Sequence, residues 1–309
     1  MLNSRQIKQI IQDNSLYINK RFGQNFLINE KISDKLIASC DIREDDVILE
    51  IGPGLGALTE AILPLCKRVI AIDKDRGLSG ILTKTFSSCN NLEVINKDIL
   101  KVDIPSICHS ESQQWRSDRG RNVRGSAEPT GFGQSQQECR KNKLKIIGNL
   151  PYYITSPIIF HLLEHKRYID SIYITIQKEV AKRIVAQPGC KDYGVLTCGV
   201  GYHCKPEILM NIPKSSFYPQ PKVDSSFLKL DILKEPSVNV EDEELLFKII
   251  RSAFNQRRKT LFNALLNSAY LQISKETLTQ AFSKTGLDPK IRGETLSLQD
   301  FAKFSSAIS

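Results

Sequence analysis

The stretch "DVILEIGPGLGALTEAIL", residues 46–63, decides the fold. Its first half is an apolar run bounded by acidic residues and Gly52, which reads as a buried strand. Its second half, from Ala57, has helical spacing. Between them Gly52, Gly54 and Gly56 form a small-residue turn, where backbone can bend tightly and approach a ligand closely. A helix begins there, so backbone N–H groups without helical partners point at the turn. Gly52, Gly54 and Ala57 satisfy the dinucleotide pattern G-x-G-x-x-A. Taken alone, the pattern also fits a tight strand-to-helix turn that holds nothing.

The chain on either side repeats the strand-then-helix alternation. "RVIAID" (68–73), "LEVINKD" (92–98), "LKIIGN" (144–149) and "SIYITIQ" (171–177) read as strands. "NEKISDKLIASC", "GLSGILTKTF", "TSPIIFHLLEH" and "KEVAKRIVA" read as helices, the third capped by Thr155 or Ser156 with Pro157 in its first turn. "GVLTCGVGYHC" and "SSFLKLDIL" read as later strands, and residues 3–12 as a short amphipathic helix. Such alternation predicts parallel βαβ units in an open α/β sheet. After residue 235 only helical patterns remain. The expected domains are therefore 1–234, with the sheet, and 235–309, smaller and all-helical.

Residues 106–142 break the pattern. Seven of these 37 residues are apolar, and the segment is rich in Ser, Gln, Gly and Arg. It cannot bury enough surface to order itself, so a disordered insertion is expected. Its arginines, as in "RSDRGRNVRGS", read either as an RNA-contacting arm or as a solvated linker.

Net charge is +9, which favours polyanionic partners without determining the fold. The eight cysteines contain no C-x-x-C pair, and Cys198, Cys204 and His203 lack zinc-ligand spacing, so reduced structural thiols and no metal are expected. There is no signal-peptide pattern and no long uncharged apolar run, which points to the cytoplasm.

The acids narrow the ligand. Asp73 ends the second strand, where a carboxylate can accept ribose hydroxyls. Asp98 ends the third, where one can accept from an adenine amine. Glu50 stands just before the glycine turn. It would repel a pyrophosphate and welcome a sulfonium carrying an amino acid, which favours S-adenosylmethionine over NAD. A dehydrogenase is further disfavoured because no His or Lys acid–base group is evident near the strand ends.

"NLPY", Asn149 to Tyr152, falls at the end of the fourth strand, on the same edge. An exocyclic adenine amine is a poor nucleophile because its lone pair is conjugated into the ring. Asn149 Oδ1 and the Leu150 carbonyl can hold its two hydrogens and let nitrogen pyramidalise. Pro151 stiffens the turn and adds no donor, and Tyr152 can stack on the base. Phe217, in the Pro-rich "SSFYPQPKVDSS" (215–226), can close the base's other face.

At this point the chain resembles the rRNA adenine N6,N6-dimethyltransferases, specifically the KsgA-type small-subunit branch. "KRFGQNFL", "LEIGPGLGALT", "INKDILKVD", "IIGNLPYYITSPI", "QKEVAKRIVAQPGCKDYGVL", "FYPQPKVDSS", "AFNQRRKTL" and "RGETLSLQDFA" carry the resemblance, in the family's order. It implies a Rossmann-like class I methyltransferase sheet and dimethylation of two adjacent adenosines near the 3′ end of small-subunit rRNA, late in subunit assembly. It implies cofactor contacts at Asn25, Leu27, Gly52, Gly54, Asp73, Asp98 and Asn149, and an adenine held between Tyr152 and Phe217. It implies phosphate contacts from Arg251, Arg257, Arg258 and Lys259, for which a solvated helix face is the alternative. The family commonly has Glu where Asp73 stands and Gly where Lys97 stands. A large-subunit methyltransferase of the antibiotic-resistance type, and an assembly factor with methylation secondary, are the competing readings. A monomer is expected.

Overall fold

The computed structural model describes residues 3–14, 24–108 and 143–308. The expected insertion therefore lies outside the described residues, apart from 106–108. Those three close a helical turn over 104–108, with Cys108 buried.

The chain forms two compact units. The first comprises residues 1–178 and 208–232, the second 179–207 and 233–309. Residues 179–207, which the sequence pattern assigns to the sheet domain, thus group with the helical unit.

The first unit is built on a mixed sheet, all of which it contains except the first four residues of one edge strand. Its strands are β2 (Val47–Ile51), β3 (Arg68–Asp73), β4 (Leu92–Asn96), β5 (Leu144–Asn149), β6 (Ile169–Gln177), β7 (Cys204–Ile212) and β9 (Ser225–Ile232). The order across the sheet is β4-β3-β2-β5-β6-β9-β7. The first five run parallel, and β9 pairs antiparallel with β6. β2 is buried along its whole length, as a central parallel strand covered on both faces must be. The chain order reverses at β2, between β3 and β5. Ligand crevices of open α/β sheets form outside the strand ends at such a switch point.

Helices α1 (Ser4–Asp13), α2 (Glu30–Ala38), α3 (Ala57–Ile62), α4 (Arg76–Thr85) and α5 (Thr155–Glu164) belong to this unit. A two-stranded ribbon pairs β1 (Phe26–Leu27) with β8 (Phe217–Tyr218). α1 is capped by Asn3, whose side chain accepts from Arg5 and Gln6 N–H, and it buries Ile7. α5 departs from the expected cap. Ile154 holds the cap position with no side-chain bond, while the Thr155 hydroxyl donates back to the Pro151 carbonyl at 3.2 Å. The Thr is spent tying the helix to the preceding turn. One core cluster gathers Leu27, Ile48, Leu58, Ile62, Val69, Ile147, Tyr173 and Phe227.

The second unit holds α6 (Lys178–Ile184), α7 (Val195–His203), α8 (Glu243–Asn255), α9 (Leu261–Leu266), α10 (Lys275–Thr285) and α11 (Leu298–Ile308). Its core includes Tyr202, Leu246, Ile250, Leu265, Phe282, Phe301 and Phe304. α7 corrects the strand expected over "GVLTCGVGYHC". The run is apolar on every side, with Thr197, Cys198, Gly199, Val200 and Tyr202 all buried, so its periodicity carries no signal. Thr197 settles the matter by accepting the Gly194 N–H at 3.1 Å and starting a helix. The strand comes instead from "CKPEILMNI", β7 at the sheet edge, where Pro206 costs little.

Candidate active site

The carboxyl ends of β2, β3 and β5, with the segment that follows β4, meet at one cavity. Glycine geometry brings the walls together. Gly148 pairs with Ile51, and a Cβ on it would sit 2.5 Å from the Ile51 carbonyl oxygen, so a side chain there forces β5 away from β2. Gly52 has φ +68°, and a Cβ would lie 3.1 Å from the Asn149 carbonyl oxygen. The glycine turn and the Asn-Leu-Pro-Tyr turn are thereby held backbone to backbone.

Two of the cavity's acids, Glu50 and Asp73, have no ion pair among the described residues. Glu50 is 1% exposed. Its Oε2 accepts the Thr59 hydroxyl at 2.7 Å, while Oε1 has no hydrogen-bond partner among the described residues. Burial pushes its carboxyl up to about 7. Asp73 accepts the Asp75 N–H at 2.8 Å and the Gly54 N–H at 3.3 Å, and burial raises it to about 6. No ion pair to either acid is present among the described residues. Asp98 is different. The Lys74 ammonium donates to its Oδ2 at 2.8 Å and the Leu100 N–H to its Oδ1 at 3.2 Å, and the lysine contact holds its carboxyl below the usual range.

The Asn149 side-chain N–H donates to the Asn25 carbonyl at 2.8 Å. This fixes which end of the amide is which, leaving Oδ1 as the acceptor at the cavity wall. The Leu150 N–H is taken by the Thr175 carbonyl at 3.0 Å. The Leu150 carbonyl receives no hydrogen bond among the described residues. Two acceptors on consecutive residues, in a turn stiffened by Pro151, suit an –NH2 group. Tyr152 is half-buried, and its hydroxyl meets Ser225 Oγ at 2.5 Å, which locks the ring against β9. Burial raises its phenol above the ordinary value, so it is a fixed surface rather than a proton carrier.

Residues 16–309 match the family model described as Ribosomal RNA adenine dimethylase. The chain belongs to that family. It is 41% identical to the Ribosomal RNA small subunit methyltransferase A of Alkaliphilus metalliredigens over 302 residues, 98% of this chain and 96% of that one. It is also 41% identical to the protein of the same name from Clostridium botulinum, over 97% of this chain and 98% of that one. Among solved structures, a dimethyladenosine transferase from Plasmodium falciparum superposes with a TM-score of 0.68 at 27% identity, covering 90% of this chain and 95% of that chain. The 23S rRNA methyltransferase ErmE shares the fold, with a TM-score of 0.62 at 22% identity, over 92% and 99% of the two chains.

The structure brings most of the residues singled out in the sequence to this one cavity. Asn25, Leu27, Gly52, Gly54, Asp73, Asp98, Asn149, Leu150, Pro151 and Tyr152 all line it, and so does Lys97. Phe217 does not. It is 2% exposed, packs in the core with Leu27 and Phe227, and pairs with Leu27 across the β1–β8 ribbon. In this structure apolar packing under the ribbon holds the ring, and the Phe217 backbone pairs with Leu27 next to Phe26 and Asn25.

In the helical unit Arg251, Arg258 and Lys259 are exposed. Arg257 is committed internally. Its guanidinium donates to Glu294 at 3.1 Å and to the Lys191 carbonyl at 2.9 Å, a fork geometry suited to fastening two loops.

Four partners escaped the sequence reading. Lys74 follows Asp73 and pairs with Asp98. Thr59 reaches Glu50 from the first turn of α3. Ser225 holds Tyr152, and Gln24 donates to Asp75 at 3.0 Å. Adjacency to Asp73 was a usable signal for Lys74. Ser225 is 73 residues from its partner and had none.

Proposed function

We propose that this chain dimethylates the exocyclic amines of two adjacent adenosines in the 3′-terminal hairpin of small-subunit rRNA, with S-adenosylmethionine as methyl donor. The observation that carries the reading is the Asn149–Leu150 acceptor pair standing in the same cavity as Glu50 and Asp73, to which no cation is paired among the described residues. The residues fit such a cofactor. Glu50 has a buried, unpartnered oxygen suited to a cationic amino-acid sulfonium. Asp73 suits a ribose, and Asp98 an adenine amine. Gly52 and Gly54 leave space beside them, with Asn25 and Leu27 also lining the cavity.

When bound, S-adenosylmethionine supplies an electrophilic methyl group. The chain does the positioning. Asn149 Oδ1 and the Leu150 carbonyl each take one amine hydrogen, which turns the nitrogen lone pair out of conjugation. Tyr152, clamped by Ser225, offers a ring face to the base. Fixing the reactants this way can account for roughly 7–11 kcal/mol of a barrier in the best cases. No strong base is required, because the proton leaves to solvent after transfer.

Arg251, Arg258 and Lys259 are the proposed phosphate contacts. The partner is the small-subunit precursor, met in the cytoplasm by a monomer. Among the described residues no helix is long and apolar enough to cross a membrane. The test is incorporation of labelled methyl groups into unmethylated small-subunit particles, followed by mapping. Two neighbouring dimethyladenosines in the 3′-terminal hairpin are expected. Label confined to large-subunit RNA, or none at all, overturns the reading.

A further inference from the structure

The aromatic side chains around the cavity are not equally available. Phe26 is buried against Gly54. Tyr152 is held by its hydroxyl, and Phe217 lies in the core. Tyr153 is the exception. It lines the same cavity, yet it is 52% exposed. Among the described residues it has no hydrogen bond, ring contact or ion pair. A large ring left half in water at the mouth of a concave site gains by burial against a second flat surface.

Its neighbours indicate which surface. Tyr153 follows Tyr152 directly and lines the cavity that also holds the amine acceptors Asn149 and Leu150. Lys74 lines the same cavity as Tyr153, its ammonium bonding Asp98 at 2.8 Å. A flat apolar face next to a cation matches a nucleotide, with its base on the ring and its phosphate toward the lysine. The reacting base already has Tyr152.

We propose that Tyr153 is a substrate-binding residue that stacks on the nucleotide adjoining the reacting adenosine, with Lys74 beside it for that nucleotide's phosphate. This deepens the reading above and rests on it. Stacking on a half-exposed ring acts on RNA binding and on the placing of the second adenosine, while the cofactor's own contacts stay intact.

The experiment compares wild type, Tyr153→Ala and Tyr153→Phe on unmethylated small-subunit particles, with S-adenosylhomocysteine titrated by calorimetry in parallel. Tyr153 is exposed, so thermal unfolding should match in all three. Tyr153→Ala is expected to raise KM for the particle about tenfold with kcat little changed, and to shift product toward a single modified adenosine. Tyr153→Phe should restore both, and S-adenosylhomocysteine affinity should be equal in all three. Equal KM and equal product pattern in Tyr153→Ala would overturn the proposal. A parallel loss of S-adenosylhomocysteine affinity would overturn it too, by assigning the ring to the cofactor. If wild type itself leaves small-subunit RNA unmodified, it is the proposed function that fails, and the two failures are distinguished.

Discussion

β2 and β5 lie side by side, and their two ends handle buried charge in opposite ways. At the amino end Lys145 is nearly inaccessible, and its ammonium bonds Asp46 at 2.6 Å and the Asp41 carbonyl. Cys40 nearby is buried, its thiol pushed up to about 12. The buried charge there is matched within the protein. At the carboxyl end Glu50 of β2 is buried and Asp73, ending the neighbouring β3, is half-buried, with no ion pair to either among the described residues. Matched charge fastens strands together, whereas unmatched charge is a standing cost that a ligand of opposite sign can relieve.

Variants at the two ends should therefore fail differently. The largest effect is expected at Asn149. Asn149→Ala should lower methyl transfer by about 10²–10³-fold or more, measured with labelled donor, while rRNA binding stays near wild type. If that variant methylates normally, the acceptor-pair mechanism is wrong. Lys145→Ala should cost about 3 kcal/mol in denaturant unfolding, because Asp46 loses its partner, with donor affinity unchanged in the protein that remains folded. Loss of donor affinity there would erase the distinction between the ends.

Glu50 sharpens the same contrast through pH. Its folded value, about 7, is raised above the ordinary 4.5, so the native state holds the proton more tightly than the unfolded chain. Stability is then greatest at low pH and falls as pH rises from about 4.5 to about 7, by on the order of 3 kcal/mol. Asp73 adds a smaller loss of the same sign between 3.8 and about 6. Glu50→Gln should flatten most of that slope in urea unfolding across about pH 5–7. The smallest effects belong to the helical unit. Arg258→Ala should reduce the salt slope of RNA binding by about one. Arg257→Ala, which unfastens Glu294 and Lys191, should lower thermal stability and leave that slope in place.

Much of this was legible in the sequence because the sheet's strands are local apolar runs punctuated by glycine, and because the acids sit at their ends. Asp73, Asp98 and Asn149 converge for a reason visible in the pattern: parallel strands put all their carboxyl ends on one edge. What the local pattern does not carry has a different cause. α7 is apolar on all faces, so no period distinguishes it from a strand. The burial of Phe217 depends on the β1–β8 ribbon, a pairing between Leu27 and Phe217 that are 190 residues apart. The pairing of Arg257 with Glu294, 37 residues on, is of the same kind. Pairings of that kind leave no trace in local composition.

The most direct measurement is calorimetric titration of S-adenosylmethionine into wild type and Glu50→Gln between about pH 5 and 7. A cation that settles against an un-neutralised carboxylate must displace its proton. Wild-type affinity should therefore strengthen by up to about fiftyfold over that range, with a much weaker dependence in Glu50→Gln. Equal affinities in the two proteins, unchanging with pH, would contradict the claim that unmatched acids at the carboxyl end of the sheet hold the methyl donor.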